Sequence, residues 1–538
     1  MQLHPTRSTF HVAGAGLVLV VAGIAMKIAP AVAFGGAMLI AVTLGRALAL
    51  VAVTRIRNSG FEMVWSSRAL VVTAARNAEV VLEAELRNRG PGDIRGVNLR
   101  AVAASTLECT IDPPSIDLPR ASAVRFVMRV RPKRVGHWGI HGIALEVRGT
   151  PLGGEGLYEV PLMFANPRGI EVMPGPLTAM LHTARGGRAR RGAELGSPAP
   201  LAGDGEHLHE LRERAPGDAF KRIAWKASAR RGQLLVREME REERDVVWLV
   251  LDASVELWAG QPGSAPLDIA VDDLSGFARR HLTKGDRVGL VILASRMGTW
   301  LVPGAGPLQA ARIASALASS ASMVDADRCE LDELGIAARV VEHLRPLDPR
   351  GLSDMPRHNL DALSARAEIM RSRAPFAARV PLATSPRDTQ LRQYLASFGI
   401  EVPPRTSGER DKSEGMLCDI LEKIAREKKM LSSVVHVWAP LPGEGSRIDL
   451  ALRKLRRAHV ALRWTMPIFE PSLEGQKGSA SFDSALRGAV RLRVKAARAR
   501  AEQRLRSVGV VVRPTVLSKP SIRLAPPDAP EPSVPPAP

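Results

Sequence analysis

Residues 246–256 read VVWLVLDASVE, and this stretch decides the fold. Val246 to Leu251 form an unbroken apolar run that stops at a carboxylate, Asp252. A strand with one wet face alternates apolar and polar residues; an unbroken run belongs to a strand covered on both faces, as in a parallel sheet layered with helices. The downstream pattern agrees. Leu267–Leu282 carries Ile269, Leu274, Phe277, Ala278 and His281 at helical spacing, and 287–293 (RVGLVIL) is a second buried strand. Leu308–Leu317 reads as a helix. Residues 434–438 (VVHVW) and 460–464 (VALRW) read as strands with the helix Arg447–Arg457 between them, and Ser484–Val508 is a long helix before a last strand, Val510–Arg513. Strands alternating with helices predict an α/β doubly wound, mostly parallel sheet.

Upstream the period changes. Val80, Leu82, Ala84 and Leu86 alternate with Val81, Glu83, Glu85 and Arg87; Val124, Phe126, Met128 and Val130 do the same around Arg125 and Arg129, as do Ile143, Leu145 and Val147. Period-2 strands between Gly/Pro turns such as 88–93 (NRGPGD) predict an all-β sandwich over residues 66–174, a spacer that carries the next domain. Residues 175–205, rich in Gly and Arg around 185–205, read as a linker.

Further upstream, residues 12–30 and 31–53 are two apolar runs separated by Lys27 and Pro30. Each has the length of a membrane-crossing helix, about 20 residues, so 11–54 is expected to be a transmembrane helical hairpin. No cleavage site followed by a polar start intervenes, which argues against a signal peptide. Arg7, Arg55, Arg57 and Arg68 flank the hairpin and only Lys27 lies in its turn, which predicts both ends and the soluble part on the cytoplasmic side of a bacterial inner membrane. The net charge of +20, from 75 Lys+Arg against 55 Asp+Glu, suits an anionic membrane surface as well as nucleic acid. Eight cations between Arg487 and Arg506 fall on a helix that keeps an apolar face (Leu486, Val490, Ala497, Ala501, Leu505) and has no interleaved aromatics for base stacking, so no nucleic acid is expected. Three well-separated cysteines, Cys109, Cys329 and Cys418, exclude a disulfide framework and a zinc motif.

Residues 206–230 read EHLHELRERAPGDAFKRIAWKASAR. Arg212, the turn Gly217-Asp218, then Arg222-Ile223-Ala224-Trp225 and Ser228-Ala229-Arg230 resemble, in that order, the signature of the DUF58 family. Arg134-Val135-Gly136, Gly156-Leu157-Tyr158 and Val172-Met173-Pro174 extend the likeness upstream, as do the two apolar helices. The resemblance implies a von Willebrand A-like domain, here residues 206–320 and 415–515, and a non-enzymatic adaptor associated with MoxR-type AAA+ ATPases in cell-envelope or complex assembly. Physically, Arg222 and Arg230 suit carboxylate or phosphate recognition and Trp225 offers a large contact area. The signature is either a docking surface or, the reading favoured on sequence, a packed edge that closes the α/β domain onto the sandwich.

The A-like fold also implies a Mg²⁺ loop of the form Asp-x-Ser-x-Ser. Asp252 and Ser254 match its first two positions, Glu256 stands where the third hydroxyl is wanted, and Ala439-Pro440 follows the strand that would supply a further acid. Mg²⁺ tolerates few departures from an octahedron of hard oxygens, so a degenerate site with weak or no metal is expected, and no other cofactor. Residues 321–414, with six prolines between Pro346 and Pro386, read as a partly helical, partly mobile insertion near that loop: a lid, a partner-binding element or a tolerated surface insertion. The Pro-rich tail 518–538 is expected to be disordered. His207 and His209 lack a third ligand and read as surface residues. A different class stays open: an envelope enzyme that uses Asp218, Asp252 and Glu256, which requires the three carboxylates to converge.

Overall fold

The computed structural model describes residues 3–515 except 59, 148–156, 178–196, 217, 244, 259, 349–351, 353–358, 407, 409, 428–433, 444–446 and 468–480. Gly217, the tail 518–538 and most of the expected linker therefore lie outside the described residues.

After a two-residue strand β1 (His4–Pro5), helices α1 (Arg7–Ala25) and α2 (Ala29–Asn58) form an apolar hairpin. Both are long and apolar enough to cross a membrane. Lys27 turns the chain with φ 56°. The helices approach through small residues: a Cβ built on Gly35 would lie 2.6 Å from the Gly16 carbonyl oxygen, the close backbone contact that glycine permits between apolar helices.

Strands β2 (Phe61–Trp65), β3 (Val71–Ala75), β4 (Val80–Asn88), β5 (Ile94–Ala103), β6 (Leu107–Asp112), β7 (Ser115–Leu118), β8 (Ser122–Pro132), β9 (Gly136–Val147) and β10 (Tyr158–Met173) make two sheets. One runs β2-β4-β8-β6; the other runs β1-β10-β9-β5-β7, with β3 parallel to β10. Period 2 places Leu82, Ala84, Leu86, Phe126, Met128 and Val130 inside, against Ile140, Ile143 and Leu145 of the second sheet. Trp65 stacks on Phe164 with ring centroids 3.9 Å apart. The first strand was not foreseen: His4 pairs with Glu159, so the chain start is stitched to β10.

An antiparallel arm, β11 (Ser197–Glu213) with β12 (Leu235–Glu243), forms a sheet of its own. Residues 197–205, read from sequence as linker, are therefore strand: backbone pairing overrides a Pro/Gly-rich composition. Helix α3 (Trp225–Arg231) lies between the two arm strands.

The α/β part follows: β13 (Val246–Asp252), α4 (Pro266–Lys284), β14 (Arg287–Leu293), β15 (Met297–Gly304), α5 (Gly306–Ser320), then α6 (Glu333–Leu347), α7 (Leu360–Arg371), α8 (Pro386–Phe398), α9 (Arg410–Arg426), β16 (Val434–Trp438), α10 (Ile448–Arg457), β17 (Ala461–Pro467), α11 (Ser481–Ser507) and β18 (Val511–Thr515). The sheet order is β15-β14-β13-β16-β17-β18, parallel throughout except for β15. Every residue of β13 is buried. Strand order reverses between β13 and β16, and the crevice at the carboxyl ends of those two strands is where doubly wound sheets place ligands.

Helices α6 to α8 correct the expectation for 321–414. They do not hang over the sheet as a lid. They share one continuous apolar core with the two-sheet β domain and with α4 and α5, through Val340, Leu344, Leu391, Leu395 and Phe398. The Gly139 amide donates to the Gly399 carbonyl at 3.0 Å, and the Ser105 amide to the Glu401 carboxylate at 2.7 Å. At the centre of the junction His343 bonds Tyr394 (2.8 Å) and His141 of β9 (3.1 Å). Burial lowers the pKa of His141 to about 4 and that of His343 well below its ordinary value. The same β domain is bolted to α4 by Arg134, whose guanidinium makes a buried two-point bond with Asp268 at 2.9 and 3.2 Å.

Candidate functional site

The sequence marked two places for chemistry, and the structure separates them.

The first is the carboxyl edge of the sheet. Strand β13 ends with Asp252 buried, and the Ser254 amide donates to its Oδ1 at 3.0 Å. Asp252, Ser254 and Glu256 line a cavity of about 10 Å³ together with Arg410, Ser413, Glu414, Ala439 and Pro440. That volume holds one water at most. Burial pushes the Asp252 carboxyl up to about 6, against the Ser254 hydrogen bonds; Glu256 repels the charged form and Arg328 favours it. Among the described residues Glu256 Oε2 is buried without a hydrogen-bond partner.

Sequence reasoning missed the neighbour of this loop. Asp325, Asp327 and Arg328 sit just after α5 and face the turn that follows β14. Arg328 is buried and donates through Nη1 to the Ser320 and Ser322 carbonyls, both at 3.1 Å. Burial alone would raise the Asp325 carboxyl, but Arg328, Arg379 and Arg296, with the Leu382 amide at 2.8 Å, hold it below the usual range. Asp327 accepts from the Ser295 hydroxyl. Arg405 donates its amide to the Arg328 carbonyl at 2.7 Å. The signal in the sequence was the charged run Asp325-x-Asp327-Arg328 between two apolar segments.

These residues do not fit a Mg²⁺ centre. The third hydroxyl is absent at Glu256, an acid is absent at Ala439, the space is water-sized, and a fixed guanidinium already acts on Asp252. Among the described residues no group of three His, Cys, Asp or Glu side chains is arranged to hold a metal.

The second place is the arm. Arg212 grips Asp218 with two hydrogen bonds (2.9 and 2.7 Å), and the Ala215 amide adds a third at 2.8 Å. The Arg212 bond and the Ala215 amide hold the Asp218 carboxyl below its ordinary value. Ser228 fastens α3 to β12: its hydroxyl donates to the Ala224 carbonyl (3.0 Å) and accepts the Leu235 amide (2.9 Å). Ile223, Ala224, Leu235 and Val236 are turned inward and buried, and Gly232 ends α3 in the left-handed conformation, φ 70°. This framework leaves Arg222, Trp225 and Arg230 exposed. Of the signature residues, Ile223, Ala224 and Ser228 are buried, while among the described residues Trp225 stays 60% exposed. Phe220 and Leu234, not singled out from sequence, are exposed beside it. An aromatic followed directly by Lys221 and Arg222 was the available sign. Asp218 belongs to the arm and is absent from the cavity of Asp252 and Glu256, so the three carboxylates do not converge.

With this geometry in place the comparisons can be placed on it. Residues 210–346 match the family described as "Protein of unknown function DUF58". The matched residues are less than half of the chain. They start in β11, contain the Arg212–Arg230 signature, the strands β13 to β15 and the Asp325–Arg328 cluster, and end in α6. The DUF58 match does not extend over β16 to β18, which complete the sheet. No curated protein matches the chain. Among solved structures, the secreted serine protease VesC from Vibrio cholerae is 10% identical at a TM-score of 0.16, over 24% of this chain and 26% of that one. The cupredoxin domain of amoB from Nitrosocaldus yellowstonii is 13% identical at 0.14, over 21% and 83%. Alpha-2-macroglobulin of Escherichia coli is 12% identical at 0.15, over 74% and 29%. The chain thus spans about a quarter of VesC, and scores this low carry no argument about fold or activity.

Proposed function

We propose that this chain is a membrane-anchored, non-enzymatic adaptor with a von Willebrand A-like α/β domain, which works by holding other proteins at a membrane surface. One observation carries the reading: the DUF58 segment presents Arg222, Trp225 and Arg230 outward on a rigid arm, while its carboxylates are dispersed. Acid–base chemistry needs groups within hydrogen-bonding reach of one reacting atom, and Asp218 is engaged with Arg212 away from Asp252. The order β15-β14-β13-β16-β17-β18 supports the A-like assignment. Mg²⁺ is dispensable in this reading, and partner binding rests on surface complementarity. The hairpin is the anchor, with both its ends cytoplasmic because Arg7, Arg55 and Arg57 outnumber Lys27. The partner class that the DUF58 resemblance implies is a MoxR-type AAA+ ATPase.

The test is purification of the tagged full chain from detergent-solubilised membranes. A MoxR-type ATPase is expected to co-purify in stoichiometric amount with or without chelator. Absence of any such ATPase, or a hydrolytic activity of the chain abolished in Asp252→Ala, would refute the adaptor.

A further inference from the structure

Resting on the adaptor reading, we infer that the tip of the arm is a docking surface for a protein partner that offers an apolar pocket ringed by carboxylates. The tip shows four apolar side chains to solvent: Phe220 (66% exposed), Trp225 (60%), Leu234 (44%) and Leu211 (37%). The same segment exposes Arg214, Lys221, Lys226, Arg230, Arg231 and Arg237, with Arg214 against the Phe220 ring; the only exposed acid among the described residues 211–237 is Glu213. Exposed aromatics among mostly basic side chains are complementary to an apolar pocket with an acidic rim. Trp and Arg are also the residue types that most often anchor protein interfaces.

Rigidity selects a protein over a lipid surface. A fluid bilayer conforms to whatever is laid on it, so a membrane-binding tip gains nothing from a fixed shape. Here the shape is fixed several times over: by the two-point Arg212–Asp218 pair, by the Ser228 hydroxyl between α3 and β12, and by Arg214, whose guanidinium lies 4.7 Å from the Phe220 ring centroid. Ordering side chains before contact lowers the entropic cost of binding a partner of matching form. Among the described residues the arm pairs with no other sheet.

The experiment uses the full chain in nanodiscs of neutral phosphatidylcholine. The probe is a fluorescein-labelled peptide repeating Glu-Glu-Leu-Phe; polyglutamate and phosphatidylglycerol vesicles are the comparators. The Glu-Glu-Leu-Phe peptide is expected to bind at least about tenfold tighter than polyglutamate, and Trp225→Ala to weaken it at least about tenfold. Lys226→Glu with Arg230→Glu should weaken it and flatten its dependence on salt. Unchanged melting of each variant shows that the fold is intact. Equal binding of the two peptides, or full binding by Trp225→Ala, overturns the inference. So does vesicle binding that these variants abolish while the peptide is ignored, which would make the tip a lipid contact. ATPase capture is scored separately: if it persists in Trp225→Ala, the arm is not the docking tip and the adaptor works through another face.

Discussion

The carboxyl edge of the α/β sheet and the tip of the arm carry the same kinds of residue, arginines and carboxylates, and use them in opposite ways. At the edge, Asp325 is shared by Arg296 and Arg379 under a loop that brings Leu382 and Arg405 into the same network. There Asp325 and Arg328 are buried, while Arg296 and Arg379 reach in from partly exposed positions. At the tip, one carboxylate, Asp218, is engaged with Arg212, and Arg214, Lys221, Arg222, Lys226, Arg230 and Arg231 are exposed to solvent. Matched buried charge fixes a structure, because breaking one partner strands the other; unmatched exposed charge does little for the fold and steers association.

That contrast can be broken by measurement. Arg328→Ala removes the buried cation that faces Asp325, Asp327 and Asp252. Urea unfolding should show a loss of about 3–5 kcal/mol; a loss under 1 kcal/mol (about the value of an exposed pair) would place this network on the surface in energetic terms.

A second interior junction should be sensitive to acid. An unfolded histidine titrates near ~6.5, whereas His141 in the fold is held at about 4 by burial. The folded value is depressed, so the unfolded state binds more protons, and stability present above pH ~6.5 is lost as pH falls toward 4. The loss at His141 should reach about 3 kcal/mol, read as melting temperature against pH. His141→Gln should flatten the profile; a parent profile already flat over that window would contradict the buried His141–His343 contact.

The arm should behave otherwise. Trp225→Ala and Arg230→Ala are expected to change unfolding free energy by no more than about 0.5 kcal/mol. A cost of 2 kcal/mol or more (roughly that of a buried aromatic) would mean that Trp225 packs against something in the native protein. The smallest effect is expected from metal. Titration of the soluble part with millimolar Mg²⁺ should give no stoichiometric heat and no shift in melting. Tight binding lost in Asp252→Ala would show that Glu256 serves as a ligand.

What could be read from the chain followed local periodicity. The run Val246–Leu251 is a buried parallel strand, and the alternation at Leu82, Ala84 and Leu86 places those residues in the β core, because burial on two faces or one leaves its mark within a few residues. The Asp252 loop was singled out through the family resemblance and not through periodicity. What escaped was non-local. His141 and His343 meet across 202 positions, and nothing near either announces the other. Residues 197–205 look like linker because their pairing with β12 is made by backbone groups that composition does not report. Trp225 misled for a different reason: large apolar residues are usually inside, and only the local frame set by Ile223, Ala224 and Ser228 turns it out.

The two-residue strand at the start of the chain has a consequence for biogenesis. His4 and Glu159 are partners in one sheet, and the Thr6 amide is bonded to the Leu157 carbonyl at 3.0 Å, with the whole α1–α2 hairpin in between. A ribosome must emit more than 150 residues before residue 4 can find its mate. If the hairpin enters a bilayer during that interval, the first residues have to wait on the side where Leu157 and Glu159 will emerge. If the two helices cross a bilayer, the pairing of His4 with Glu159 requires residues 4 and 159 to lie on the same side of it.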